Sequence, residues 1–179
     1  MRLFLAINLP DGLKKGIFTA GGVLPELANV KLVEEGNIHL TLKFLGEVDE
    51  KRLKEIIPVL GGVKFSGFGI KLKGIGVFPT PKFVRVVWVG VEDGFDEVTN
   101  IQKRVDVELE KLGFPKDEKF HPHATIARVK LLKSREAFSR FLEENRGVEF
   151  GSFKAESFDL MESRLSPVGP EYKVLERFK

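Results

Sequence analysis

One pattern narrows the possible folds of this chain more than any other. Asn37-Ile38-His39-Leu40-Thr41-Leu42-Lys43-Phe44-Leu45-Gly46 alternates polar and apolar residues. Its His-x-Thr-apolar core returns in Phe120-His121-Pro122-His123-Ala124-Thr125-Ile126-Ala127-Arg128. His39 and His123 are 84 positions apart, and the third histidine of the chain, His121, adjoins the second motif. The surroundings repeat too. A polar-started helical stretch begins ten residues after each histidine, at Asp49-Glu50-Lys51-Arg52 and at Lys133-Ser134-Arg135-Glu136. Val63-Lys64-Phe65-Ser66-Gly67-Phe68 is echoed by Val148-Glu149-Phe150-Gly151-Ser152-Phe153, and Asp11-Gly12-Leu13 by Asp93-Gly94-Phe95. Order and spacing agree over about 80 residues per half. They predict a duplicated lobe of strand, helix, histidine strand, helix and long strand. The copies are too few and the period too long for a solenoid. Two such lobes pack about a pseudo-two-fold axis, which sets His39 and His123 along one groove.

Local patterning supplies the elements. Residues 2–8 read as a buried strand, 10–28 as a helix interrupted by Gly21-Gly22, and 31–33 as a short strand. The first histidine strand spans about 38–45, and Asp49 caps a helix that ends near Leu60 before Gly61-Gly62. Residues 63–78 are strand-like, 79–81 a turn, and 83–91 the strongest strand. A helix comes next over about 94–112, then the second histidine strand over 122–131, and a helix capped by Ser134 to 145. Residues 148–162 read as one long strand, 163–170 as a loop, and 172–178 as a last strand. The whole, residues 1–179, is expected to be a single bilobal domain.

On a strand, residues two apart share a face. His39 and Thr41 therefore point one way while Leu40 and Leu42 point into the lobe, and His123 and Thr125 do the same in front of Ala124 and Ile126. Two imidazoles titrating near ~6.5 can supply one general acid and one general base at neutral pH. The threonine hydroxyls can donate to non-bridging phosphate oxygens, and Arg128 or Lys43 can neutralise charge developing at phosphorus. Lys43 has the cleft parity. Arg128 lies five residues past His123, so a bulge must redirect it. His121 reads as a flanking turn residue, Trp88 as core, and Phe44 or Phe78 as a ring on which a base stacks.

The chain has no cysteine, which excludes disulfides, thiolate nucleophiles and Cys-ligated zinc. A net charge of +3 and a pI of about 9.0 suit an anionic ligand, and mere solubility explains them as well. The apolar N-terminal run is too short for a signal peptide and no stretch reaches transmembrane length, so a cytoplasmic location with no membrane partner is expected. Two other classes fit parts of the pattern. One is a non-catalytic RNA-binding module with a mildly basic groove. The other is a metal hydrolase using His39, His121 and His123, although neither histidine strand carries an Asp or Glu to complete such a site.

The motifs taken together resemble the 2H phosphoesterase superfamily, and within it the bacterial and archaeal RNA 2′,3′-cyclic phosphodiesterases, long called 2′-5′ RNA ligases. The resemblance covers nearly the whole chain. It rests on Arg2-Leu3-Phe4-Leu5-Ala6-Ile7, on His39 to Gly46, on Phe78-Pro79 with Val87-Trp88-Val89-Gly90, and on Pro122 to Arg128. Leu160-Met161-Glu162-Ser163 and Gly169-Pro170-Glu171-Tyr172 complete it. The visible departure is Ala124-Thr125-Ile126, where larger aliphatics are common. The resemblance implies an α+β fold of two antiparallel sheets facing a central cleft, with helices outside. It implies metal-free, cofactor-free hydrolysis of a 2′,3′-cyclic phosphate at an RNA end to a 2′-phosphate. By position, His123 would activate the water, His39 would protonate the leaving 3′ oxygen, and Thr41, Thr125 and Arg128 would hold the phosphate. Lys43, Phe44 and Phe78 would be further substrate contacts. A monomer acting on RNA ends, tRNA fragments among them, is expected. Because the site is nearly symmetric, the same pair could join a cyclic phosphate to a 5′-hydroxyl, so 2′-5′ ligation of tRNA halves is the alternative physiological task.

Overall fold

Nine strands and five helices succeed one another in the computed structural model, which describes residues 1–179. The strands are β1 (Arg2–Asn8), β2 (Ala28–Leu32), β3 (His39–Glu47), β4 (Phe68–Thr80), β5 (Phe83–Val91), β6 (His123–Leu132), β7 (Glu149–Ala155), β8 (Phe158–Ser166) and β9 (Gly169–Phe178). The helices are α1 (Asp11–Gly21), α2 (Leu24–Leu27), α3 (Glu50–Leu60), α4 (Phe95–Glu110) and α5 (Arg135–Glu144). Their ends obey the expected chemistry. The Asp49 carboxylate accepts the Arg52 amide at the start of α3, and the Ser134 hydroxyl accepts the Ala137 amide at the start of α5. Val98, Ile101, Val105 and Leu109 form the buried stripe of α4 at helical spacing. No helix is long and apolar enough to cross a membrane.

The strands run in the order β7-β4-β5-β6-β3-β1-β8-β9, with β2 paired to β6, and every pair is antiparallel. β3 and β6 are joined by a single ladder pair, Leu40 with Ala124. The curled array thus consists of two antiparallel sheets hinged at the two histidine strands. Leu40, Leu42, Ala124 and Ile126 point to the helix-covered side, all 2% exposed or less, within one apolar core that also takes in Ile17, Ile56, Val105 and Phe138. The opposite face of β3 and β6 is open and forms the cleft.

Several boundaries differ from the sequence expectation. The stretch 148–162 is two strands that part after Ala155: β7 pairs with β4 in one sheet, and β8 pairs with β1 in the other. Residues 163–170 are the end of a β8–β9 hairpin, with Ser166 opposite Gly169. Residues 79–80 continue β4, and the turn is Pro81-Lys82, because Thr80 pairs with Phe83. Strand β4 begins at Phe68, so 63–67 are irregular. The helix expected over 10–28 ends at Gly21, where an added Cβ would meet the Ile126 side chain at 2.5 Å; the helix packs there as closely as a glycine permits.

Candidate active site

Two matching irregularities shape the cleft. On β3, Thr41 pairs with Ala6 and Lys43 with Leu5, which leaves Leu42 as the extra residue of a bulge. On β6, Thr125 pairs with Trp88 and Ala127 with Val87, which leaves Ile126 extra. Each bulge falls directly after a His-x-Thr. Two consecutive side chains then turn inward, and the next returns to the cleft. Arg128 gains its place in this way. Phe44 takes the equivalent place on β3 and is 67% exposed.

The same bulge overturns the parity argument for Lys43. Its side chain lies inside the protein, 7% exposed, ion-paired with Asp106 and donating to the Pro115 carbonyl at 2.6 Å. Its ammonium is a structural cation, and Lys43 reaches the cleft only as part of the wall of the His123-side compartment.

The pair Leu40–Ala124 sets the cross-strand register. Carried one residue either way, this antiparallel register directs His39 toward Thr125 and Thr41 toward His123. The four side chains occupy the corners of a quadrilateral with the histidines on a diagonal. Diagonal neighbours in such a pairing lie about 7–8 Å apart, which leaves room for one tetrahedral phosphorus between them.

Both rings are held alike. His39 Nδ1 lies 2.7 Å from the Asn37 carbonyl and His123 Nδ1 lies 2.6 Å from the His121 carbonyl, each two residues upstream. A carbonyl only accepts, so Nδ1 carries the proton and Nε2 presents its lone pair. The Thr41 hydroxyl, 2.8 Å from His39 Nε2, donates to it. Phe4 stacks on the His39 ring with centroids 5.0 Å apart, and Tyr172 meets it edge-on at 5.5 Å. Phe78 meets His123 edge-on at 4.9 Å, with Trp88 at 6.2 Å. His121 packs its half-buried ring among Phe78, Trp88 and Phe95, and its main contribution is the carbonyl that steers His123. No three His, Asp or Glu side chains converge where a metal ion would be held.

Enclosure lowers the basicity of both imidazoles. Burial brings the His39 pKa down to about 4; the Asn37 carbonyl opposes the shift, and the charges of Lys14 and His123 reinforce it. Burial also lowers His123, aided by the neighbouring His121 and Arg128 and opposed by the His121 carbonyl. Both rings are therefore neutral near pH 7 in the free protein, each able to accept a proton at Nε2.

The cleft has two compartments. One, of about 210 Å³, lies on the His39 side and is lined by Val33, Asn37, Tyr172 and Lys31. The other, of about 230 Å³, lies on the His123 side against Phe78, Phe120 and His121. Thr41, Phe44, Thr125 and Arg128 border both. The predicted pairs His39–Thr41 and His123–Thr125 thus come together with Arg128, Phe44 and Phe78, and Lys43 adds to the wall of the His123-side compartment with its ammonium turned inward to Asp106. Sequence reasoning gave no role to Phe4, Tyr172 or the two steering carbonyls. Phe4 and Tyr172 stand 168 positions apart, and only the β1–β8–β9 pairing brings them around one ring.

Comparison with known proteins agrees with this geometry. The family model of LigT-like phosphoesterases matches the chain twice, over residues 7–88 and 89–172. A Methanocaldococcus jannaschii protein named RNA 2′,3′-cyclic phosphodiesterase is 39% identical over 178 residues, 99% of this chain and 100% of the relative. A relative of the same name from Archaeoglobus fulgidus is 38% identical over 180 residues, the full length of both. Among solved structures, a Thermus thermophilus protein superposes with a TM-score of 0.82 at 30% identity, covering 99% of this chain and 97% of its own. Escherichia coli LigT complexed with 3′-AMP superposes with a TM-score of 0.75 at 26% identity, covering 99% and 95%. Fold, paired histidine motifs and full-length similarity lead to one assignment: the chain belongs to the LigT-like phosphoesterase family of the 2H superfamily.

Proposed function

We propose that this protein hydrolyses the 2′,3′-cyclic phosphate at an RNA end to a 2′-phosphate, without a metal, by general acid–base catalysis between His123 and His39. The supporting observation is the matched pair of imidazoles. Each has Nδ1 tied to a backbone carbonyl and Nε2 turned toward a site bordered by Thr41, Thr125 and Arg128, where the Thr41 hydroxyl caps His39 Nε2 until substrate arrives. The relatives' shared name and the 3′-AMP complex of Escherichia coli LigT support the choice of an RNA-derived substrate.

In the reaction, His123 Nε2 takes a proton from water as the water oxygen attacks phosphorus. The bond from phosphorus to the ribose 3′ oxygen breaks, and protonated His39 Nε2 delivers its proton to that oxygen. Thr41, released from His39, donates with Thr125 to the non-bridging oxygens, and the Arg128 guanidinium offsets their growing charge. The free-protein pKa of His39, about 4, leaves only about one molecule in a thousand protonated there at pH 7. The bound phosphodiester anion supplies the correction, since a negative charge in contact raises an imidazole pKa. On the His39 side, Tyr172, Phe44 and Leu32 receive the terminal nucleoside, and the water approaches from the His123 side, past Phe78.

Each chain carries both histidines, so a monomer suffices, and cytoplasmic RNA fragments, those of tRNA included, are the fitting substrates. The two halves are best understood as copies of one unit, given their parallel motifs and bulges. The test is to incubate RNA ending in a 2′,3′-cyclic phosphate with the protein and excess chelator. A 2′-phosphate product is expected, and His39→Ala or His123→Ala should each slow turnover about 10²–10⁴-fold with folding retained. A 3′-phosphate product, or near-native turnover in either variant, overturns the reading.

A further inference from the structure

Beyond Arg128 the open face of the sheet continues away from the histidines, and its composition changes. Cross-strand pairing puts Lys31 on β2 beside Arg128. A second bulge, at Lys130, turns both Lys130 and Leu131 outward, and Leu131 is 70% exposed. On the neighbouring strand a bulge at Arg85 does the same for Arg85 and Val86. The Arg85 guanidinium lies 4.3 Å from the centroid of the Phe83 ring, which is 54% exposed, and its Nη1 donates to the Lys130 carbonyl at 3.1 Å. This face therefore carries four cations and an exposed ring already stacked by a guanidinium. Residues 28–32, 83–87 and 127–132 include no Asp or Glu. None of the four cations pairs with a carboxylate. On the opposite flank, Arg164 pairs with Glu162 at 2.8 Å and Arg177 with Asp159 at 2.7 Å.

We infer that this strip binds the single-stranded RNA that runs 5′ of the terminal nucleotide, with Phe83 as a base-stacking platform and Lys130 and Arg85 on the phosphates. The inference rests on the cyclic phosphodiesterase reading and extends it to the chain beyond the reacting end. Continuity supports it: the compartment assigned to the terminal nucleoside is lined by Lys31 and Arg128, where the strip begins. From Arg128 to Leu131 the strand covers about 10 Å, so the strip engages nucleotides a mononucleotide substrate does not have. Unpaired cations beside an aromatic ring are the usual means of holding single strands irrespective of sequence, and no carboxylate on these strand segments interrupts the row to repel phosphate.

The experiment compares a 2′,3′-cyclic mononucleotide with a tetranucleotide bearing the same end, for the native protein and for Phe83→Ala combined with Arg85→Ser and Lys130→Ser. All three positions are outside the catalytic cleft. The native protein should have a kcat/KM at least about 10-fold higher for the tetranucleotide, and the variant should lose that advantage while turning over the mononucleotide normally. Losing two phosphate contacts should flatten the slope of log(kcat/KM) against log salt by about 1.4 for the tetranucleotide. Equal kcat/KM for the two substrates in the native protein, or an equal loss on both in the variant, overturns the inference. If neither substrate reacts, the cyclic phosphodiesterase reading itself fails. The strip is then judged by direct binding of a 3′-phosphorylated tetranucleotide, which must weaken about 10-fold in the variant.

Discussion

Asp106→Ala offers a sharp test of how the cleft is held. Asp106 is 5% exposed and accepts from the Lys43 ammonium, from Gln102 Nε2 at 2.8 Å and from the Asp117 amide at 2.9 Å. It thereby joins β3, α4 and the loop that leads to His121. Removing the carboxylate leaves a buried ammonium with the Pro115 carbonyl alone and strands two amide donors. Breaking a buried ion pair from one side costs about 3–5 kcal/mol. Each stranded donor adds about 1 kcal/mol where water cannot reach it. Asp117 is at the surface and can rehydrate, so the expected loss is about 4–6 kcal/mol. For a chain of this size that corresponds to a fall in Tm of about 8–24 °C. The double variant Lys43→Met with Asp106→Leu removes both charges and should recover to within about 2 kcal/mol of the native protein. Urea unfolding at pH 7 of the native protein and the variants measures the cycle. The reasoning fails if Asp106→Ala costs less than about 1 kcal/mol, or if the double variant is no more stable than Asp106→Ala.

Two further expectations concern the site itself. Because kcat/KM reports the free enzyme, and because His39 must be protonated there (pKa about 4) while His123, lowered below 6.5, must be neutral, the profile should be a bell. Its maximum should fall on the acid side of pH 6.5, with kcat displaced to higher pH by the bound anion; a kcat/KM still rising above pH 7.5 would contradict this. Gly76→Ala puts a methyl group onto the Trp88 indole, whose ring backs Phe78 at 5.0 Å and His121 at 5.3 Å. Overpacking of this kind should cost about 1–3 kcal/mol and lower kcat by misplacing His123, and unchanged thermal unfolding and turnover would show that the indole moves freely.

Much of this site is legible from residue spacing. The i, i+2 rule is enough to place His39 with Thr41 and His123 with Thr125 on one face, because short strands obey it strictly. Arg128 and Lys43 show where it stops. A bulge is a one-residue event in backbone pairing, and Leu42 and Ile126 look like any other strand residue. The need for a bulge could be argued for Arg128, but its twin on β3, which sends Lys43 inward, has no compositional mark. The break after Ala155 escaped for a related reason: 148–162 stays β-prone throughout, and only competition between β4 and β1 for partners divides it. Tyr172 and Phe4 were visible as residues and invisible as a cage, since their proximity depends on strand order rather than on local pattern.

The exchange of strands between the two sheets has a consequence for how the chain is made. The sheet containing β4, β5, β6 and β7 draws on residues 68–155 together with β2, so all of its strands are synthesised before β8 and β9. The other sheet needs β8 and β9, and β8 begins at Phe158, 150 positions after β1 ends at Asn8. At ordinary elongation rates the nascent β1 therefore waits on the order of ten seconds with one backbone edge unsatisfied. That edge belongs to Leu3, Leu5 and Ala6, which end at 1% exposure or less. The β8–β9 hairpin is thus the clasp of the fold: it covers the oldest strand last, and it carries in Tyr172, which completes the ring around His39. A chain released before that hairpin emerges would keep both histidines and still present a sticky N-terminal strand to its neighbours.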